Sequence, residues 1–318
     1  MQPKLNLLFE PVRQWEDLKR LVGSIKNKGK TTVTGLSESR KVHFACLLAR
    51  ETGKKILYVA PNEYAALRAY EDFSFFSPDK VVLFEPNEYM LYDVEARSTD
   101  VGIRRMSAME EIVKGEWEAV VVSVNALMQW MPSPKDFINS FLYIKQDDVF
   151  ETTELAEMLV QRGYERVSQV LSRGQFSLRG DILDIFPATS EQAYRIEFFD
   201  NIIDQIRMMN VNTQRSGDTV GSVKILPARE NLVFDAYHEI KVLDKIQRSL
   251  ERLTASLKER GKTGQARKIE LNVKSDMEKL ASRGTFPGYD RYIPFILGNE
   301  FTLLDYMEDV LVFMDDPD

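Results

Sequence analysis

Cysteine is almost missing from this chain. Cys46 stands alone among 318 residues, so no internal disulfide framework exists. Histidine is nearly as scarce: His43 and His238 lie far apart and have no cysteine partners, which excludes a zinc site of ordinary ligand spacing. No apolar run approaches the ~20 residues that cross a bilayer, so no membrane span is expected. Met1-Gln2-Pro3-Lys4 lacks the charged-then-apolar opening of a secretory signal, and a cytoplasmic location is expected. An excess of positive charge is lacking too. With 42 Lys and Arg against 49 Asp and Glu the net charge is −7, which argues against a surface built throughout to coat DNA but leaves room for a local basic patch.

What is present points to several packed units. A chain of 318 residues exceeds one ordinary core and predicts two or three domains. Residues 30–130 alternate short β-rich apolar runs with helical patterns. Thr31-Thr32-Val33-Thr34, Lys55–Val59, Val81–Phe84 and Ala119–Val122 read as strands, and Lys41–Glu51, Glu63–Phe73 and Val101–Lys114 as helices. That order predicts an α/β domain with a parallel sheet covered on both faces. Cys46 falls in one of these helices and reads as a packing residue. After Pro132 and Pro134 the texture changes. Thr152–Arg162 reads as a helix, and Tyr164–Asn210 as a meander of strands, a small α+β domain. Beyond Leu226-Pro227, Leu243, Ile246, Leu250, Leu253 and Leu257 recur at helical spacing, and Gly261 and Gly264 are expected to interrupt before a second helix towards Leu280. The expected units are 1–130, 131–210 and 211–318.

Thr32-Val33-Thr34-Gly35-Leu36-Ser37-Glu38-Ser39-Arg40-Lys41-Val42 occupies the strand-to-helix position of a P-loop, GxxxxGK[ST]. Gly35 and Lys41 match in register, but Arg40 replaces the second glycine and Val42 the hydroxyl residue. A Cβ at position 40 crowds a loop that must wrap phosphate, and valine has no oxygen for Mg²⁺. A decayed nucleotide site and a chance G-x5-K both fit, and neither predicts ATP hydrolysis. Val310-Leu311-Val312-Phe313-Met314-Asp315-Asp316 has the form of a Walker B strand, but Pro317-Asp318 departs from the usual continuation. A buried strand ending in a solvated acidic turn fits equally well.

One central run is more distinctive. Arg173-Gly174-Gln175-Phe176-Ser177-Leu178-Arg179-Gly180-Asp181-Ile182-Leu183-Asp184-Ile185-Phe186-Pro187-Ala188, with Tyr194-Arg195-Ile196-Glu197-Phe198-Phe199-Asp200, resembles domain 2 of the excision-repair protein UvrB. Phe301-Thr302-Leu303-Leu304-Asp305-Tyr306 is also similar to UvrB. Asn212–Ser216, Leu226-Pro227-Ala228-Arg229-Glu230, Leu91-Tyr92-Asp93 and Ser123–Met128 resemble the UvrB-homology region of transcription-repair coupling factors. The broken P-loop and the short stretch around Tyr89 and Tyr92, where UvrB has a long aromatic hairpin, favour the coupling-factor family. The resemblance implies a degenerate P-loop domain, a small α+β domain projecting from it, and a helical continuation packing on the first. It implies a module that recruits UvrA to stalled transcription, with no catalytic or metal residues of its own. The implied partner-binding residues are Arg166, Ser177, Arg179, Phe186, Arg195 and Glu197. ATP, Mg²⁺ and RNA polymerase are expected to belong to other parts of a longer protein, whose downstream domains are partners too.

The bare residues support such a surface. Strand parity sets Gln175, Ser177 and Arg179 opposite Phe176 and Leu178, and Arg195 and Glu197 opposite Tyr194, Ile196 and Phe198; Gly180 is expected to mark a bulge. No lysine occurs from 146 to 223, whereas arginine occurs at 162, 166, 173, 179, 195, 207 and 215. Arginine's planar fork suits carboxylate pairing and is enriched at protein interfaces. A solvated face of internal ion pairs is the alternative. Arg179→Glu and Arg195→Glu are expected to break docking with the fold intact. Two other readings remain. Lys241, Lys245, Arg248, Arg252, Lys258, Arg260, Lys262, Arg267 and Lys268 form a basic stretch that suits weak DNA binding. A UvrB-type ATPase with unusual loops is the other, opposed by Arg40 and Val42.

Overall fold

The computed structural model describes residues 7–26, 29–87, 100–230, 236–283, 286, 288–298 and 300–316. The chain divides into two compact units, one of residues 1–87, 108–129 and 302–318, the other of 88–107 and 130–301. Tyr89 and the run Leu91-Tyr92-Asp93 lie outside the described residues. Among the described residues no helix is long and apolar enough to cross a membrane.

The first unit is built on a parallel sheet. Its strands, numbered in chain order, are β1 (Ile56–Ala60), β2 (Val81–Phe84), β3 (Ala119–Ser123) and, near the C-terminus, β12 (Leu311–Met314), arranged β12-β1-β3-β2. Every pairing is parallel. β1 and β3 are buried at every residue, as continuous apolar runs require when both faces are covered. Helices Glu16–Lys26, Glu38–Thr52 and Glu63–Phe76 supply much of the cover: Phe44, Leu47, Leu48 and Phe73 pack with Ile56, Tyr58 and Val121. Helix Glu38–Thr52 ends on Gly53 in the left-handed region, φ 71°, which glycine adopts without a Cβ penalty. The strand expected at Thr31–Thr34 is not formed. Those side chains are all exposed and the segment pairs with no strand, so β-branched composition alone did not make a strand. β12 is an edge strand with alternating exposure, not the buried strand expected.

The second unit holds the meander. β4 (Leu142–Lys145) precedes helix Thr152–Gln161, followed by β5 (Glu165–Arg166), β6 (Gln175–Arg179), β7 (Ile182–Phe186), β8 (Ala193–Phe199), β9 (Ile202–Asn210), β10 (Arg215–Thr219) and β11 (Ser222–Ile225). β10-β9-β8-β7-β6-β5 form one sheet, antiparallel except for β5 beside β6, and β11 pairs with β4 in a second. The boundary expected at 210 therefore falls too early. β10 completes the large sheet and β11 returns to β4, so this small domain runs past Ile225. Leu155 and Leu159 of the helix, Phe176, Ile185, Ile196, Ile206 and Ile225 share its core.

Residues 236–301 follow the helical expectation. Helix Ala236–Glu259 and helix Thr263–Arg283 lie side by side. The break is at Gly261, φ 74°; Gly264, also expected to interrupt, lies inside the second helix. Val242, Ile246 and Leu280 pack with Tyr289, Tyr292 and Ile296, and Asp276 accepts the Tyr292 hydroxyl at 2.9 Å.

Candidate functional site

Register decides which side chains reach the free face of the six-stranded sheet. Ser177 lies opposite Asp184, which lies opposite Arg195; Arg179 lies opposite Ile182, which lies opposite Glu197. Cross-strand partners share a face. Phe176, Leu183, Ile185, Ile196 and Phe198 turn the other way into the core. The free face thus brings together Ser177, Arg179, Asp184, Phe186, Arg195 and Glu197. Arg166 stands exposed on the edge strand β5. The bulge expected at Gly180 is absent: Gly180 and Asp181 make a two-residue turn, with Gly180 at φ 59°, and β6–β7 stay in register. The irregularity lies on β9, where Asp204 is the extra residue between Ile203 and Gln205.

Asp184 organises this face. Only 1% of its side chain is exposed, and both carboxylate oxygens are engaged. Arg195 donates Nε to Oδ1 at 2.6 Å and Nη2 to Oδ2 at 2.9 Å, while Arg179 donates Nη2 to Oδ2 at 2.8 Å. Burying a carboxylate is costly without such partners. The two arginines differ in what remains free. Arg195 is 16% exposed and its fork is committed to Asp184, whose bond raises the guanidinium pKa further above its ordinary value. Arg179 is 55% exposed and offers the rest of its guanidinium to solvent. The alternative of internal ion pairs thus describes Arg195 well and Arg179 only in part.

The face is closed at one end. Ser177 donates Oγ–H to the Ser168 carbonyl at 3.1 Å and is buried. Val167 and Val170 cover Ala193, Met209 and half-buried Phe186. Ser177 therefore cannot reach a partner from this conformation, contrary to its place among the expected contact residues.

The P-loop position is occupied differently from a nucleotide site. Gly35 has the positive φ, 82°, of a tight turn, and helix Glu38–Thr52 begins after Ser37. Val42 is buried in the core of the first unit, and Arg40 is exposed. Lys41, which in a P-loop reaches phosphate, instead makes a short ion pair with Asp315 and lies 3.2 Å from Asp316. Tyr58 donates its hydroxyl to Asp315 at 2.9 Å. The Asp315 bond raises the Lys41 pKa, and burial with that same carboxylate raises Tyr58. Lys41, Asp315 and Asp316 do come together as the two half-motifs suggested. The lysine is answered by the protein's own carboxylates, which join helix Glu38–Thr52 to β12. The basic stretch 241–268 is exposed along its whole set of nine cations, and Arg248 is paired with Asp244. Both histidines are engaged with backbone carbonyls, His43 with Leu8 and His238 with Ile296.

Residues 142–231, which span β4 to just beyond β11, match the family model of the UvrB interaction domain. This segment is similar to UvrB interaction domains. Similarity extends through the rest of the chain. It is 32% identical over 308 residues to the transcription-repair-coupling factor of Bacillus subtilis, covering 96% of this chain and 26% of that one. It is 28% identical over 330 residues to the UvrABC system protein B of Pseudothermotoga lettingae and 28% over 324 residues to that of Streptococcus mutans, covering 50% and 49% of those proteins. The chain thus spans about a quarter of the coupling factor and half of the UvrB proteins it matches.

Within residues 142–231, three features were not anticipated from the sequence. Asp184 was readable: it shares strand parity with Ser177 and Arg179 once Gly180-Asp181 is taken as a two-residue turn. Phe199 was readable too, as an aromatic on the polar parity of β8 beside an Asp-Asn turn. The cover over Ser177 was not, because the 167–171 segment carries no pattern that aims it at β6.

Proposed function

We propose that the chain is a docking module that recruits UvrA through the free face of its UvrB interaction domain and catalyses no reaction itself. The observation that carries this reading is Arg179. It is held by buried Asp184 on a rigid strand, yet presents most of its guanidinium outward, with Glu197 on the same face and Arg166 on the sheet edge. A preorganised arginine loses little entropy on pairing with a partner carboxylate. In the longer protein, the module would link RNA polymerase stalled on DNA to nucleotide excision repair through domains outside this segment. ATP and Mg²⁺ would act in those domains. Buried Val42 and the Lys41–Asp315 pair support a P-loop position that binds no nucleotide. The basic stretch 241–268 is an ordinary solvated helical surface, and no specific observation favours DNA there.

The test is titration of purified UvrA with the chain and with Arg166→Glu and Arg179→Glu. A central interface arginine contributes roughly 2–4 kcal/mol, so Arg179→Glu should weaken binding by about 30-fold or more while the chain stays folded, Arg195 still holding Asp184. Full affinity in both variants, or no binding by the unaltered chain, would sink the proposal. Arg195→Glu is unsuitable, because it removes the two-bond fork that holds buried Asp184 and, at a side chain only 16% exposed, leaves the new carboxylate no route to solvent.

A further inference from the structure

The open end of the same sheet face carries an apolar cluster. Phe199 is 76% exposed, Val149 63% and Ile202 42%. β8 keeps strict alternation, so Phe199 lies on the face of Arg195 and Glu197; Ile202 is its cross-strand partner, and Val149 bridges to Ile202. Exposed Ile182, opposite Glu197, joins them to the charged rows.

Isolated exposed apolar residues are commonplace, but this group is contiguous and held on stiff backbone. The Asp147 amide donates to the Ile203 carbonyl at 2.9 Å, the Ile203 amide to the Asp148 carbonyl at 2.9 Å, and the Phe150 amide to the Asn201 carbonyl at 2.8 Å. Acidic residues surround it. Asp147 and Asp148 precede Val149, Asp200 follows Phe199, Asp204 fills the β9 bulge, and Asp181 accepts the Phe198 amide through its carbonyl at 2.8 Å; all are exposed but Asp148, which is half-buried. Lys145 is the one cation in the flanking stretches 145–151 and 197–205. The face is therefore graded, from a covered apolar end, through Asp184, Arg179 and Glu197, to an uncovered apolar end with an acidic rim.

We infer that Phe199, Ile202 and Val149 are the apolar anchor of the UvrA-docking surface, seated in an apolar recess of UvrA rimmed by lysine or arginine. This rests on the docking proposal above. Exposed ion pairs contribute little at an interface, whereas aromatic side chains desolvated in pockets dominate its energetics. Arg179 is one strong contact and fixes orientation, and the hydrophobic corner supplies a second share of the affinity of similar size. The acidic rim matches a basic partner surface and speeds encounter.

The experiment measures UvrA affinity and association rate for the chain, Phe199→Ala, Ile202→Thr and Asp204→Arg, with Val160→Ala as control. Val160 is exposed on helix Thr152–Gln161, which packs on the other face of the sheet. Phe199→Ala should bind about 30-fold weaker or worse, Ile202→Thr several-fold weaker, and Val160→Ala unchanged, all with wild-type melting temperatures. Asp204→Arg should slow association at low salt, by about threefold or more. Wild-type affinity in Phe199→Ala, with Arg179→Glu still defective, would overturn the anchor and leave the docking proposal standing. An unchanged association rate for Asp204→Arg would overturn the basic rim. No binding by the unaltered chain would overturn anchor and docking together.

Discussion

Asp184 and Arg195 illustrate how one buried charge turns surface residues into structural ones. Read along the strand, Arg179 and Arg195 are equivalent polar-face arginines. In the fold, Arg195 closes a fork on both oxygens of the buried carboxylate, while Arg179 shares one oxygen and remains outward. Cys46 is the opposite case, a residue whose chemistry burial removes. Burial pushes its thiol up to about 12 from an ordinary 9.0. Between those values the folded chain keeps a proton that the unfolded chain has lost, so stability is flat below about pH 9 and falls as pH rises above it. Denaturant midpoints measured from pH 8 to 10 should fall over the upper unit, and less so for Cys46→Ala. A parallel fall in that variant would assign the loss to other groups.

At the scale of elements, the P-loop position keeps its turn while its lysine is turned to the protein's own carboxylates. Gly35 retains the left-handed conformation and the helix still starts behind it, yet Lys41 is bound to the end of β12. A ligand that binds only the folded state raises its melting temperature. Millimolar ATP with Mg²⁺ should therefore leave the melting temperature of this chain unchanged; a rise of several degrees would restore a nucleotide site here. Strand prediction failed and succeeded for the same reason. Thr31–Thr34 has strand composition but pairs with no strand among the described residues, whereas the weakly patterned Arg215–Thr219 forms β10 because β9 offers it an edge.

For the whole molecule, the two units have separate hydrophobic cores. Each core gains its stability by its own burial, so calorimetry should resolve more than one transition. Asp184→Ala leaves the Arg195 guanidinium without its carboxylate and should lower the transition of the second unit, by about 2–4 kcal/mol. Asp315→Ala removes the bonds from Lys41 and Tyr58 and should lower only the first. Equal shifts of every transition in both variants would mean that the chain unfolds as one cooperative body.

Local chemistry determined much of this protein directly. The apolar runs at 56–60 and 119–123 became parallel strands because only a doubly covered sheet buries every residue of such a run. Parity placed Arg179, Arg195 and Glu197 on one face, since a two-residue period allows no other outcome within a regular strand. Arg40 and Val42 marked the altered P-loop from side-chain chemistry alone. Tertiary structure decided the rest. It buried Ser177 beneath Ser168, committed Arg195 to Asp184, tied Lys41 to a strand more than 270 residues away, and left Phe199 uncovered beside Ile202. Each of these outcomes depends on how separate strands and loops are brought side by side, from the Phe199–Ile202 hairpin to the Lys41–Asp315 pair, and strand parity within a single element does not select them.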